Sequence, residues 1–115
     1  MEKYYFLVLS NPVEGREEEY NAWYSDIHII DALKVPGIKA ARRFHLSKVQ
    51  RRDPPYLWNY MTLYEIETND LAETMRILNE RSGSAVMPVS DAFDPKHIAL
   101  VFEAITPRLE STDVA

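Results

Sequence analysis

His28 and Asp31 stand three residues apart in the run Trp23-Tyr24-Ser25-Asp26-Ile27-His28-Ile29-Ile30-Asp31. An imidazole beside a carboxylate is the pair from which a general base is built. A histidine's ordinary pKa of about 6.5 lies near neutral pH, and a neighbouring carboxylate orients the ring and stabilises the imidazolium. On a helix the spacing i, i+3 lets two side chains meet on one face. The same projection places Tyr20, Tyr24, Ile27 and Asp31 close to one line, with Trp23 and Ile30 on one flank and His28 on the other. Asp31 then points where a leucine is expected, and a carboxylate facing a core is costly unless it is paired, which is a mark of functional sites. A second reading fits these residues too: Asp31 caps a new short helix, Asp31-Ala32-Leu33-Lys34, after a break, and His28 is a half-exposed helix residue.

Other residues qualify as substrate contacts. Trp23, Tyr24, Trp58, Tyr60 and Tyr64 would wall a site for a flat, apolar, oxygenated ligand, although the same rings equally serve core packing. Asn59 shares a strand face with Leu57, Met61 and Leu63 and needs a partner, either a substrate carbonyl or backbone at a bulge. Arg43 and His45 share a face of their strand and would bind a carboxylate there, or else line a solvated edge. His28, Asp31, His45 and His97 offer nitrogen and oxygen donors, but no His-x-His or Glu-x-x-His pair occurs, so no metal site is expected. No Gly-x-Ser-x-Gly elbow is present, and glycines at 15, 37 and 83 build no phosphate loop.

These residues need a scaffold, and 115 residues allow one domain, expected over 1–106 with a flexible tail over 107–115. Hydrophobic residues make up 46% and charged residues 27%, the balance of a soluble protein, and no apolar run reaches a membrane span. The absence of cysteine excludes disulfides and thiolate chemistry, and a net charge of −5 argues against a nucleic-acid partner. Met1-Glu2-Lys3 runs straight into Tyr4-Tyr5-Phe6-Leu7-Val8-Leu9 without a signal-peptide pattern, so a cytoplasmic location is expected. Alternation predicts strands over 4–10, 38–48, 56–67 and 97–105. A helix is expected from the acidic run Glu17-Glu18-Glu19 to the stop at Val35-Pro36-Gly37, and a second follows the Asn69-Asp70 cap to about Arg81. The order βαββαβ is that of an α+β, ferredoxin-like domain, with a four-stranded antiparallel sheet carrying both helices on one face. The third strand is apolar on both sides, so a second copy is expected to cover the bare face, giving a homodimeric α/β barrel.

The run Trp23-Tyr24-x-x-x-His28-x-x-Asp31-x-Leu33-x-Val35-Pro36-Gly37, continued by Ala41-x-Arg43-Phe44 and Tyr60-x-x-Leu63-Tyr64-Glu65, resembles the EthD-like branch of the dimeric α/β-barrel superfamily over nearly the whole chain. That superfamily includes cofactor-free muconolactone isomerases, polyketide cyclases, quinone-forming monooxygenases, haem-handling enzymes and stress proteins. The resemblance implies that His28 transfers protons, while Tyr24, Asp31 and Tyr60 match polar or aromatic positions of the pattern less closely. The lack of cysteine departs from the methylmuconolactone isomerases and excludes any cysteine-assisted step.

Residues and resemblance together lead to the expectation of a cofactor-independent acid/base enzyme acting on a small phenolic, lactone or polyketide-like substrate by isomerisation, cyclisation or elimination. His28 would be base and then acid, Asp31 would orient it, and Tyr24 or Tyr60 would hydrogen-bond a developing enolate. Asn59 or Arg43 would anchor the substrate. Two alternatives stand beside it: a cofactor-free monooxygenase of a phenol, and a non-catalytic protein holding a small ligand such as haem.

Overall fold

The computed structural model describes residues 1–114. Four strands, β1 (Glu2–Ser10), β2 (Ile38–His45), β3 (Tyr60–Thr68) and β4 (Ile98–Phe102), form one antiparallel sheet in the order β2-β3-β1-β4. The crossing segments are α1 (Glu17–Trp23), a π turn (Tyr24–His28) and α2 (Ile29–Leu33), all in one continuous helix, and then α3 (Leu71–Arg81). This is the expected α+β, ferredoxin-like arrangement. The expected tail ends on Ala115, outside the described residues; a short 3-10 turn forms at Ser111–Asp113.

Register decides which side chains meet the helices. Phe6 pairs with Tyr64, Val8 with Thr62 and Ser10 with Tyr60, while Ala41 and Arg43 of β2 oppose Tyr64 and Thr62. These alternate residues face the helices, where Val8, Tyr64 and Ile66 pack with Ala32, Val35 and Met87. The opposite face carries Tyr5, Leu7 and Leu9, with Met61 and Leu63 between them and Phe44. Its β4 members are Ile98, Leu100 and Phe102. Leu100 and Phe102 stay 52% and 51% exposed, so among the described residues nothing covers this face.

Several strand boundaries differ from the sequence reading. β3 begins at Tyr60 rather than 56, because the Asn11 side chain clamps the preceding chain: its Nδ2 donates to the Leu57 carbonyl and its Oδ1 accepts from the Asn59 backbone N–H, both at 2.8 Å. Backbone groups held by a side chain are no longer free for a ladder. β2 stops at His45 and β4 spans only Ile98–Phe102.

The larger difference lies within the first helix. The Ile29 N–H reaches back to the Tyr24 carbonyl, an i→i+5 bond, so one extra residue is accommodated in that turn. One residue rotates everything after it by about 100° relative to an uninterrupted helix. Ile27 and Ile30, expected on the apolar line and its flank, are therefore 45% and 48% exposed, and Ala32 takes the core position. The helix ends through Gly37 at φ +101°, where a Cβ would lie 2.6 Å from Thr74 Oγ1 on α3. Glycine is thus required both for the left-handed backbone and for the close approach of α3.

Candidate functional site

A cavity of about 260 Å3 opens between the sheet and the helices. Phe6, Val8, Tyr64 and Ala99 form its floor on the helix-facing side of the sheet. Trp23, Tyr24, His28 and Ala32 form one wall; Leu78, Asn79 and Ser82 of and just after α3 form another. Val89, Phe93 and His97, from the long connection into β4, close the mouth.

His28 is the polar group set into the first wall. Its ring stacks on Trp23 at 4.6 Å between centroids and meets Tyr24 edge-on at 5.1 Å. Trp23 is pinned in turn, its indole N–H donating to the Pro88 carbonyl at 3.0 Å. The His28 Nδ1 is buried and has no hydrogen-bond partner among the described residues. Burial lowers the His28 pKa from 6.5 to about 4, with Asp31 opposing and Arg43 assisting the shift. At neutral pH the ring is therefore neutral, with nitrogen available to a ligand.

The phenols around it stay protonated. Burial pushes the Tyr24 hydroxyl up from its ordinary value against the neighbouring Thr62 and Tyr64 hydroxyls, and it pushes Tyr64 up more strongly, with Tyr24 contributing. Both serve as hydrogen-bond donors and not as phenolates.

Of the residues singled out in the sequence, His28, Tyr24, Trp23 and Tyr64 come together in this cavity. The others do not line it. Asp31 forms no hydrogen bond with His28; its side chain, 14% exposed, lies 4.0 Å from Lys34 Nζ. With no hydrogen bond between them, Asp31 acts on the ring through its charge and does not orient it. Tyr60 packs on Tyr20 and accepts a hydrogen bond from Asn21 Nδ2 at 3.1 Å. Arg43 lies over the Tyr24 ring, 4.4 Å from its centroid, and lines a separate cleft. Trp58 and Asn59 precede β3 and line a shallow groove beside Phe44 and His45. Their strand face was assigned on the assumption that β3 began at 56.

Phe93 went unrecognised in the sequence, and His97 was weighed there only as a metal ligand. His97 Nδ1 lies 2.7 Å from the Pro95 carbonyl, which only accepts, so Nδ1 donates there. No local pattern marks the connection over 83–97 as part of a site; only its return across the cavity does. Phe6, by contrast, was legible from its alternation with Val8. Among the described residues no group of three or more His, Asp or Glu side chains is placed to hold a metal ion, and no helix is long and apolar enough to cross a membrane.

The sequence matches no protein-family model and no curated protein. The fold is similar to that of an EthD-like protein from Ralstonia eutropha, with a TM-score of 0.63 and 11% identity over 94% of this chain and 97% of that one. It is also similar to an ethyl tert-butyl ether D (EthD) family protein from Bacillus halodurans, with a TM-score of 0.50 and 10% identity over 91% of this chain and all of that one. The shared architecture is the ferredoxin-like sheet and helices.

Proposed function

We propose that this chain, whose fold is that of EthD-like proteins, is a cofactor-independent acid/base enzyme for a small phenolic, lactone or polyketide-like molecule. The observation that carries this reading is the buried, neutral His28 ring on the wall of an apolar cavity. Its Nδ1 is shut off and without a partner, and a ligand hydroxyl or carbonyl would supply the missing hydrogen bond once the ring turns to meet it. His28, neutral at pH 7, accepts a proton from the bound molecule and returns it at another carbon or oxygen. Tyr24 and Tyr64, both held protonated, donate to the oxygen on which charge develops. Rings of Trp23 and Phe93 suit a planar substrate.

A pKa of about 4 makes His28 a weak base until a substrate anion raises it, and this favours one alternative: a protein that holds such a ligand without turning it over. Incubating the protein with a panel of lactones and phenolic polyketide mimics in deuterated water decides between them. Deuterium incorporation or product formation that disappears in His28→Ala supports catalysis. Binding without exchange supports the ligand-holding reading. Exchange at wild-type rate in His28→Ala overturns the role given to His28.

The assembly we propose is a homodimer through the bare sheet face. Leu7, Leu9, Met61, Leu63, Leu100 and Phe102 present neighbouring apolar side chains on one sheet face, with Leu100 and Phe102 half exposed, and a second copy of that face would cover them.

A further inference from the structure

A second cleft, of about 330 Å3 and sharing no lining residue with the His28 cavity, is lined by Asn21, Ser25, Arg43, Phe44, His45 and Tyr60. None of these is acidic, and Arg43 has no carboxylate partner among the described residues. Its guanidinium is held among three phenol rings, 4.4 Å from Tyr24, 5.3 Å from Tyr20 and 5.5 Å from Tyr60. Nε and Nη2 are enclosed there without a hydrogen-bond partner. The third nitrogen, Nη1, donates to Ser25 Oγ at 2.7 Å on the wall of the cleft.

Following the protons shows what the cleft lacks. Ser25 Oγ accepts from Arg43, so its own O–H has no acceptor among the described residues. The Tyr60 oxygen accepts from Asn21 Nδ2, so its O–H is likewise free. His45 Nδ1 faces the Leu46 carbonyl at 3.1 Å, which fixes its proton on that nitrogen when the ring is neutral. A fixed cation, two free hydroxyl protons and no anion converge on one space, while aromatic edges rim it. A planar carboxylate satisfies such a set, with its oxygens on Arg43 Nη1 and the Ser25 and Tyr60 hydroxyls, Nε and Nη2 being shut off from the cleft, and its ring on Phe44 or Tyr60.

We propose that this cleft is a second binding site, for a small aromatic or unsaturated carboxylate, distinct from the His28 cavity and independent of whether that cavity is catalytic.

Benzoate is the probe, with benzamide as its uncharged counterpart and inorganic phosphate as a non-planar anion, each titrated into the full chain by two-dimensional NMR and calorimetry. The expected result is saturable benzoate binding that shifts the Ser25, Arg43 and Tyr60 signals, with benzamide at least tenfold weaker. Arg43→Gln should weaken benzoate at least tenfold. Ser25→Ala, which touches only an exposed side chain and leaves the fold intact, should weaken it severalfold. Phosphate binding as tightly as benzoate would overturn the planar carboxylate class. Benzamide equal to benzoate, shifts confined to Trp23, His28 and Phe93, or no saturable binding would overturn the site itself.

Discussion

At the scale of single residues, the burial of His28 sets its pH behaviour. The folded-state pKa of about 4 lies below the ordinary 6.5 because burial disfavours the charged ring. Above pH 6.5 both folded and unfolded chains hold a neutral ring, so this residue costs nothing there. As pH falls from 6.5 towards 4, the unfolded chain takes up a proton that the native state does not, and stability is lost by an amount of the order of 1–3 kcal/mol. Below about 4 the native ring protonates as well and the loss levels off. Urea midpoints measured at pH 7.5 and 4.5 should therefore draw apart in the wild type by more than in His28→Gln. Equal pH dependence in the two proteins would show that His28 is not buried as described. In catalysis, His28→Ala should slow turnover by about 100-fold or more, the usual cost of a lost general base, with substrate affinity changed much less. Tyr24→Phe keeps the ring that stacks near His28 and removes only a donor, so it should lower kcat more than it raises KM.

At the scale of elements, the π turn over Tyr24–His28 turns His28 into the cavity and leaves Ile27 and Ile30 outside. Removing one residue from it, Asp26 being exposed and free of side-chain hydrogen bonds, should turn the i→i+5 bond into a regular i→i+4 bond and leave His28 and everything after it in place. The His28 pKa, followed by NMR, should then stay near 4, whereas adding one alanine after Asp26 should rotate His28 out of the cavity and move its pKa towards 6.5. A deletion that moves the pKa back to 6.5 would refute this account of the turn. Gly37 makes a second element-level test. An alanine there combines a left-handed backbone with a Cβ 2.6 Å from Thr74 Oγ1, so Gly37→Ala should destabilise by about 2 kcal/mol or more in urea unfolding.

At the scale of the whole molecule, the two faces of the sheet have different fates. One is covered by the helices and holds the cavity; the other presents leucines, Met61 and aromatic rings with no cover among the described residues. A second copy seated on that face would bury an area of the order of 2,000 Å2 and couple folding to assembly. Light scattering at micromolar concentration should give twice the chain mass for the wild type. Leu100→Glu, at a position half exposed in the single chain, should give one chain mass and a lower unfolding midpoint that does not change with protein concentration, whereas the wild-type midpoint should rise with concentration. A folded wild-type monomer at that concentration would rule out the dimer.

The sequence by itself determined the order of elements and the sidedness of the sheet, because alternation along Tyr4–Ser10 and Tyr60–Glu67 is set by the fixed geometry of a strand. It also singled out His28, Tyr24, Trp23 and Tyr64, four side chains that the fold brings together around one cavity. Three matters were decided only in three dimensions. The phase of the first helix depended on a turn that takes one extra residue, and no local pattern in Tyr24–His28 announces it, so Ile27 and Ile30 were placed on the apolar side when both are exposed. The start of β3 depended on Asn11, 46 to 48 positions away from the backbone groups it holds, which moved Trp58 and Asn59 off the sheet. The placing of Arg43 behind Tyr24, and of Phe93 and His97 over the cavity, depended on how distant segments pack against one another, and packing is a property of the assembled surfaces that residue spacing does not encode.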